Sequence, residues 1–391
     1  REQGLYRELR RVDSPQSPRL QICGEIFLNF SSNDYLGLAN HPLLKEVAIK
    51  AVEKFGVGSG ASRLICGALA PHFELEEALA DFKKMEAALS FSSGYAAAIG
   101  TICALLRKKN VIILDKLVHA SIVDAARLSG AKIRIFAHND LNDLEKILRW
   151  ADKLNPRHGT RNSRALVVTE SIFSMDGDFA PLREIVELKN KYGAWLMIDE
   201  AHATGLYGKN RRGLAEEFGL SDQVEIQMGT LGKAVGAAGG YIGGSRLLID
   251  FLINRARSFI FSTAPVPAAS AAACAGIKLI QSAEGEARQK TLWQRVTDLH
   301  SKLKVTNSKR LSAIVPIMIG QETEAVEMAL ALREKKIFIP AIRYPTVGRG
   351  QARLRLTMSA AHSSEDVKKL LAALSDLNLK FKIKNEPAGP T

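Results

Sequence analysis

Along this chain, segments with apolar residues at three- and four-residue spacing alternate with short runs that are apolar throughout. PLLKEVAIKAVEKF is the first helical pattern, opened by His41-Pro42 and closed by Gly56, which is standard helix punctuation. HFELEEALADFKKMEA is a second. Short apolar runs then precede helical patterns in turn: NVIILD before LVHASIVDAARLSG, AKIRIFA before DLNDLEKILRWADKL, and RALVVTES before PLREIVELKNKYG. AWLMIDE and VEIQMGT are two more strand candidates, and GGYIGGS reads as a Gly-rich turn holding a short strand. Continuous apolar strands separated by helices predict an α/β fold with a mainly parallel sheet between helices. Such sheets bind ligands at the carboxyl edges of their strands, so chemistry is expected there.

Past Ala264 the sequence turns Ala-rich and starts a long helix. SAIVPIMIG, IFIPAIR and RLRLTMS then read as strands of a smaller C-terminal α/β domain, closed by the helix SSEDVKKLLAALSDL. The expected organisation is an N-terminal segment (1–41), a large domain (42–268) and a small domain (269–391). The polar stretch 155–164 reads as a surface insertion, and the tail KIKNEPAGPT as disordered.

Length and composition narrow the class. At 391 residues, 46% hydrophobic and 24% charged, the chain has the make-up of a globular protein with a large core. No apolar run approaches the roughly 20 residues that span a bilayer, and the charged opening REQGLYRELRRVDS holds no signal-like apolar core. No membrane association is expected. The four cysteines are widely spaced with no CxxC pair, which points to a reducing cytoplasm and no metal site. A net charge of +13 attracts polyanions, among them nucleic acid and phosphate-rich coenzymes, without choosing between them.

The motif LMIDEAHATG delivers Asp199 to the end of an apolar strand, with His202 three residues on. The same letters occur in helicase-type ATPases, but those need an upstream GxxxxGK[ST] loop. Here the two Gly-Lys pairs, at Lys209 and Lys233, lie downstream and lack the following Ser or Thr, so the ATPase reading fails. Downstream, GTLGKAVGAAGG embeds Lys233 among small residues, with Thr230 three positions earlier. Most lysines are solvated charges; one surrounded by small residues has room for a bulky group and suits Schiff-base chemistry. A strand-end Asp followed by such a Lys matches pyridoxal phosphate, whose ring nitrogen needs an acid partner and whose aldehyde needs an amine. FSSGYAAAIG places Ser92, Ser93 and Gly94 at a helix start, where free N–H groups and the helix dipole attract a phosphate, or where Ser simply caps the helix. His119 lies just past a strand and could stack on a ring, although an isolated His is more often structural.

These residues fall within an ordered set: NFSSNDYLGL (29–38), GSGASRLICG (58–67), SSGY (92–95), HAS (119–121), FSMDGD (173–178), DEAHATG (199–205), TLGKAVGAAGG (230–240), FSTAPVP (261–267) and RLRLTMSAAH (353–362). In that set the chain resembles the α-oxoamine synthases, fold type I pyridoxal-phosphate transferases that condense an amino acid with an acyl-CoA thioester and release CoA and CO2. AIRYPTV (341–347) is similar to members joining L-alanine to a pimeloyl thioester, and GASRLICG to members using glycine and acetyl-CoA. The resemblance implies roles by position. Lys233 holds the cofactor and moves the α-proton, Asp199 pairs with the pyridinium, and His202 bonds the ring oxygen beside Ser174. His119 stacks on the ring, while Gly94, Tyr95 and Thr230 hold the phosphate. Ser262 and Thr263 reach the neighbouring subunit's phosphate, which implies a homodimer with a shared active site. Arg355 grips the amino acid's carboxylate, and Asn33 lies near the substrate. Amino acid and acyl-CoA are thus the expected partners, with no nucleic acid.

Overall fold

The computed structural model describes residues 3–154, 165–303 and 310–381. The expected surface insertion and the expected disordered tail lie outside them. The chain forms two compact units: residues 41–173 with 179–283, and residues 1–40 with 174–178 and 284–391. The long Ala-rich helix, Pro267–Gln281, falls in the first of these.

The larger unit is built on a seven-stranded sheet, in the order Ala87–Phe91, Gly240–Gly244, Ile226–Thr230, Trp195–Asp199, Ala165–Glu170, Val111–Asp115, Lys132–Phe136. Five of these strands pair in parallel from Ile226–Thr230 to Lys132–Phe136; Gly240–Gly244 runs antiparallel to both its neighbours. The short strand expected inside the Gly-rich run is present as Gly240–Gly244, and it is a buried strand of the main sheet. The apolar strand runs are buried because helices cover the sheet. Leu89, Ile112, Leu114, Val168, Met197 and Ile226 pack with Ile102, Ile122, Ala125, Leu248 and Leu252 from the helices. Each such Leu, Ile, Val or Met side chain contributes about 1.5–3 kcal/mol of transfer free energy.

Close approach explains two of the glycines at the sheet's edge. Gly240 pairs with both Phe91 and Thr230, and a Cβ there would lie 2.6 Å from the Gly94 nitrogen. At Gly94 a Cβ would lie 2.6 Å from the Thr230 methyl. The two glycines bring the helix Gly94–Leu105 down onto the strand ends.

The smaller unit holds two three-stranded sheets. One is a hairpin, Arg19–Ile22 and Glu25–Asn29, extended in parallel by Ile337–Phe338. The other is antiparallel, with Ala352–Thr357 between Ile314–Gly320 and Ala341–Ile342. IFIPAIR, expected as one strand, is instead two two-residue strands in different sheets. Pro340 between them has no N–H to continue a ladder. Among the described residues no helix is long and apolar enough to cross a membrane.

Candidate active site

In the larger unit, Asp199 ends its strand in register with Glu170 on one side and Met228 on the other. Its carboxylate accepts the Ala201 N–H at 2.9 Å. Burial pushes this carboxyl above the ordinary range, opposed by the Lys233 ammonium, the Ala201 N–H and His119. A buried carboxylate stays ionised only if a cation compensates it, and a protonated pyridine nitrogen is such a cation. His202 is buried in the turns following the strand, and its Nε2 lies 3.2 Å from the Lys233 Nζ. The next strand, Ile226–Thr230, leads directly into the loop bearing Lys233. Asp199, His202 and Lys233 thus meet at the carboxyl edge of the sheet.

His119 precedes the helix Ala120–Ser129 and caps it, its Nδ1 accepting the Ser121 N–H at 3.2 Å and lying 2.8 Å from the Ser121 hydroxyl. Partial desolvation pushes its pKa down; Asp199 pulls it up and Lys233 pushes it down again, so all three groups share one electrostatic neighbourhood. This histidine is structural in that it caps the helix, and the cap fixes its ring within the field of the Asp199 charge.

The candidate phosphate cradle also has a structural part. Ser93 does cap its helix, accepting the Ala96 N–H at 3.0 Å. The Tyr95 hydroxyl donates to Asp124 at 2.9 Å, and its backbone N–H lies in the first helical turn, where N–H groups lack intrahelical acceptors and suit an anion. Thr230, packed against Gly94, has a buried hydroxyl oxygen with no partner among the described residues. A buried hydroxyl without a partner beside helix-start N–H groups, next to a Lys and a buried Asp, fits pyridoxal phosphate. Ser262 and Thr263 line a small cavity with Ser92, Arg63 and Ser90, where Thr263 forms a bridge with Ser62. Neither Lys233 nor Thr230 lines that cavity.

The remaining expected residues gather in the smaller unit. Arg353 and Arg355, two apart on the buried strand Ala352–Thr357, lie on one face. Arg353 pairs with Asp176, and Arg355 donates to the Ser174 carbonyl and, at 2.9 Å, to the Thr357 hydroxyl. Asn33 accepts the Tyr35 hydroxyl at 3.4 Å, and Arg355 in turn bears on Tyr35, whose pKa burial raises. Tyr35, fully buried, was not singled out from sequence although it lies inside NFSSNDYLGL. Thr204 was also missed: its hydroxyl lies 3.0 Å from that of the buried Tyr241, and its position inside DEAHATG was the available signal.

Residues 25–374 match the model of the family described as aminotransferase class I and II. The chain is 44% identical over 384 residues to the 8-amino-7-oxononanoate synthase of Thermoanaerobacter pseudethanolicus, covering 97% of this chain and 95% of that protein. Among solved structures it is similar to serine palmitoyltransferase from S. paucimobilis with a bound PLP–myriocin adduct (TM-score 0.89, 31% identity, 96% of this chain and 93% of that one). It is also similar to an 8-amino-7-oxononanoate synthase from Francisella tularensis (TM-score 0.76, 28% identity, 91% and 98% covered).

Proposed function

The chain belongs to the aminotransferase class I and II family, as a pyridoxal-phosphate-dependent acyltransferase of the α-oxoamine synthase type, and from that premise we propose that it condenses L-alanine with a pimeloyl thioester, releasing the thiol and CO2 to give 8-amino-7-oxononanoate for biotin synthesis. When bound, pyridoxal phosphate supplies an electron sink for the negative charge left at the amino acid's α-carbon. In this reading Lys233 anchors the cofactor and carries the proton to and from the α-carbon. Asp199 holds a proton on the ring nitrogen, His202 and His119 fix the ring, and Gly94, Tyr95 and Thr230 take the phosphate. Arg355 receives the alanine carboxylate through its forked donors, beside Ser174 and Asn33. The observation that carries the proposal is the meeting of Asp199, His202 and Lys233 at one sheet edge, with an unpartnered Thr230 hydroxyl beside a helix start.

The acyl chain has a candidate place in the smaller unit. A cavity of about 540 Å³ is lined by Arg7, Arg10 and Arg343 together with Leu330, Phe338 and Ile342. Arg7 donates to the Thr346 hydroxyl at 3.0 Å, and the buried Arg343 Nε has no partner among the described residues. Burial, Arg7 and Arg10 together push the Arg343 pKa down, a repulsion that an anion relieves. An apolar wall ending in crowded arginines suits an aliphatic acyl chain with a terminal carboxylate.

A homodimer is part of the proposal: Ser262 and Thr263 would serve the neighbouring subunit's phosphate. Exposed Ile65 (79%) and Phe261 (69%) of the larger unit give that association an apolar surface. A cytoplasmic setting accords with four free cysteines.

The test is thiol release by the cofactor-loaded protein with four pairs: L-alanine and pimeloyl-CoA, glycine and acetyl-CoA, glycine and succinyl-CoA, L-serine and palmitoyl-CoA. Release with the first pair alone is expected. Release with glycine and acetyl-CoA instead would overturn the substrate assignment and keep the reaction type; silence with all four would overturn both.

A further inference from the structure

Directly after Asp199, the larger unit buries an ion pair that the reaction as described does not use. Glu200 and Lys83 are 0% and 3% exposed, and the Lys83 ammonium donates to the Glu200 carboxylate at 2.5 Å. Lys83 also donates to the Arg212 carbonyl. The other Glu200 oxygen accepts the Ala215 N–H at 2.9 Å. The Glu200 backbone is equally committed: its N–H donates to the Met228 carbonyl at 2.8 Å, and its own carbonyl accepts the N–H groups of Ala203 and Thr204 at 3.0 and 2.9 Å. The pair therefore closes the whole excursion from residue 200 to residue 215, whose first turn carries His202, onto the helix Ala70–Lys83.

Two like-signed carboxylates occupy consecutive buried positions here, and Glu200 acts against ionisation of Asp199. Around the two lie Lys233, His119 and, in register on the neighbouring strand, the buried Glu170 on the Asp199 side, with His202 against Lys233, and Tyr241 and Glu216 facing Lys83. Among these groups, Lys83 is fully buried and hydrogen-bonds the Glu200 carboxylate. Replacing a buried ion pair by apolar groups often costs little, whereas removing one partner leaves an uncompensated charge. A pair retained at this place is well situated to set the local field.

We propose that the Lys83–Glu200 pair is a positioning element for the reaction: it fixes the loop that presents His202 and cancels the Glu200 charge, so that Glu200 does not add to the negative field Asp199 sets at the cofactor's ring. Neither residue touches the cofactor in this scheme. The inference rests on the reading that Asp199 partners the ring nitrogen.

The test uses the holoenzyme and follows the pH midpoint of the bound cofactor's visible absorbance, with circular dichroism as the control for folding. Lys83→Met leaves a carboxylate without its cation, which favours the protonated chromophore and raises the midpoint by roughly one pH unit. Glu200→Gln leaves a cation without its carboxylate and lowers the midpoint. The double variant, neutral at both positions, returns it to the wild-type value and recovers most of the kcat lost in either single variant. A merely structural pair would lower thermal stability in all three and move no midpoint. Glu200→Gln preserves shape and one of the two accepting positions, so it decides the matter even if Lys83→Met does not fold: a folded Glu200→Gln enzyme with the wild-type midpoint overturns the proposal. Asp199→Asn separates the two readings. If it moves the midpoint while Glu200→Gln does not, this inference fails alone; if Asp199→Asn leaves the midpoint in place, the reading of Asp199 fails and takes this inference with it.

Discussion

Asp199 and Lys233 sit just where apolar strands run out, whereas Arg355 sits inside a strand whose every residue is buried. In the larger unit the apolar stretch is scaffold and the chemistry is hung on its carboxyl edge, so opposite charges and small residues converge with room for a large ring. In the smaller unit, scaffold and polar groups share one strand: Leu354 and Leu356 alternate with Arg353 and Arg355, and the arginines spend their donors on Asp176, the Ser174 carbonyl and Thr357. The first arrangement suits holding a cofactor and moving protons. The second suits gripping an anion in a fixed orientation, because a buried guanidinium tied down at several donors has little freedom left.

If that division holds, substitutions in the larger unit act on kcat and those in the smaller unit act on KM. The greatest loss is expected at Lys233. Lys233→Ala removes the amine and the proton carrier together, and turnover should fall by at least roughly 10³-fold, with the visible absorbance of lysine-bound cofactor gone. Retained turnover would sink the assignment of the whole edge. Next comes Asp199→Asn, which keeps shape but not charge: cofactor binding persists while kcat drops on the order of 10²- to 10³-fold, the scale of losing one charge-stabilising group. A near-normal kcat would show that this carboxylate does not tune the ring.

Smaller effects belong to the other unit. Arg355→Lys exchanges a fork for a single ammonium, and a hydrogen bond to a charged group is worth about 1.5–3 kcal/mol. The KM for the amino acid should therefore rise roughly 10- to 100-fold with kcat within a few-fold of wild type. A kcat loss at unchanged KM would reverse the contrast. Arg7→Ala, at the rim of the arginine-lined cavity, should raise the KM for the acyl thioester only and by less. An equal rise with a thioester lacking the distal carboxylate would remove the cavity from the argument.

The same contrast explains what could be read from sequence. Apolar runs such as NVIILD and LMID are long enough to specify the sheet, and Asp199 and Lys233 stand out because they interrupt it. The hairpin Arg19–Ile22/Glu25–Asn29 escaped notice because its two-residue turn is Cys23-Gly24. Both residues adopt positive φ, 52° and 81°, a conformation for which Asn-Gly is the familiar signature. IFIPAIR has the composition of a strand, and only Pro340 hints that it divides. Lys83 looked like any solvated lysine; its partner Glu200 lies 117 residues away, and no local pattern announces a contact made by tertiary packing. Periodicity reports burial of apolar faces, so it is silent about polar groups buried in pairs.

The mildest expectation concerns stability, and it tests whether the smaller unit's rigidity depends on neutral histidine. His362, 3% exposed, stacks on Phe30 with ring centroids 4.3 Å apart, accepts the Ser359 N–H at 3.0 Å on Nδ1, and places Nε2 2.8 Å from the Asn29 carbonyl. With Nδ1 accepting, Nε2 carries the proton and donates to Asn29, which makes the folded ring neutral. Burial, the largest influence, pushes its pKa below the ordinary 6.5. A histidine depressed in the folded state binds fewer protons than in the unfolded chain, so its contribution is complete above 6.5 and is lost as the pH falls below that value toward the folded pKa. Thermal melts between pH 8 and 5 should show His362→Gln losing less stability on acidification than wild type, by an amount the depression of this one group allows. His72 of the larger unit has a similar setting: its Nε2 lies 2.8 Å from the Pro265 carbonyl, its Nδ1 accepts the Leu69 N–H, and burial lowers its pKa. It provides the internal control. If the two units melt separately, each histidine governs the acid sensitivity of its own transition; if His362→Gln alters the acid slope of both equally, the units unfold as one and the contrast between them is confined to the chemistry.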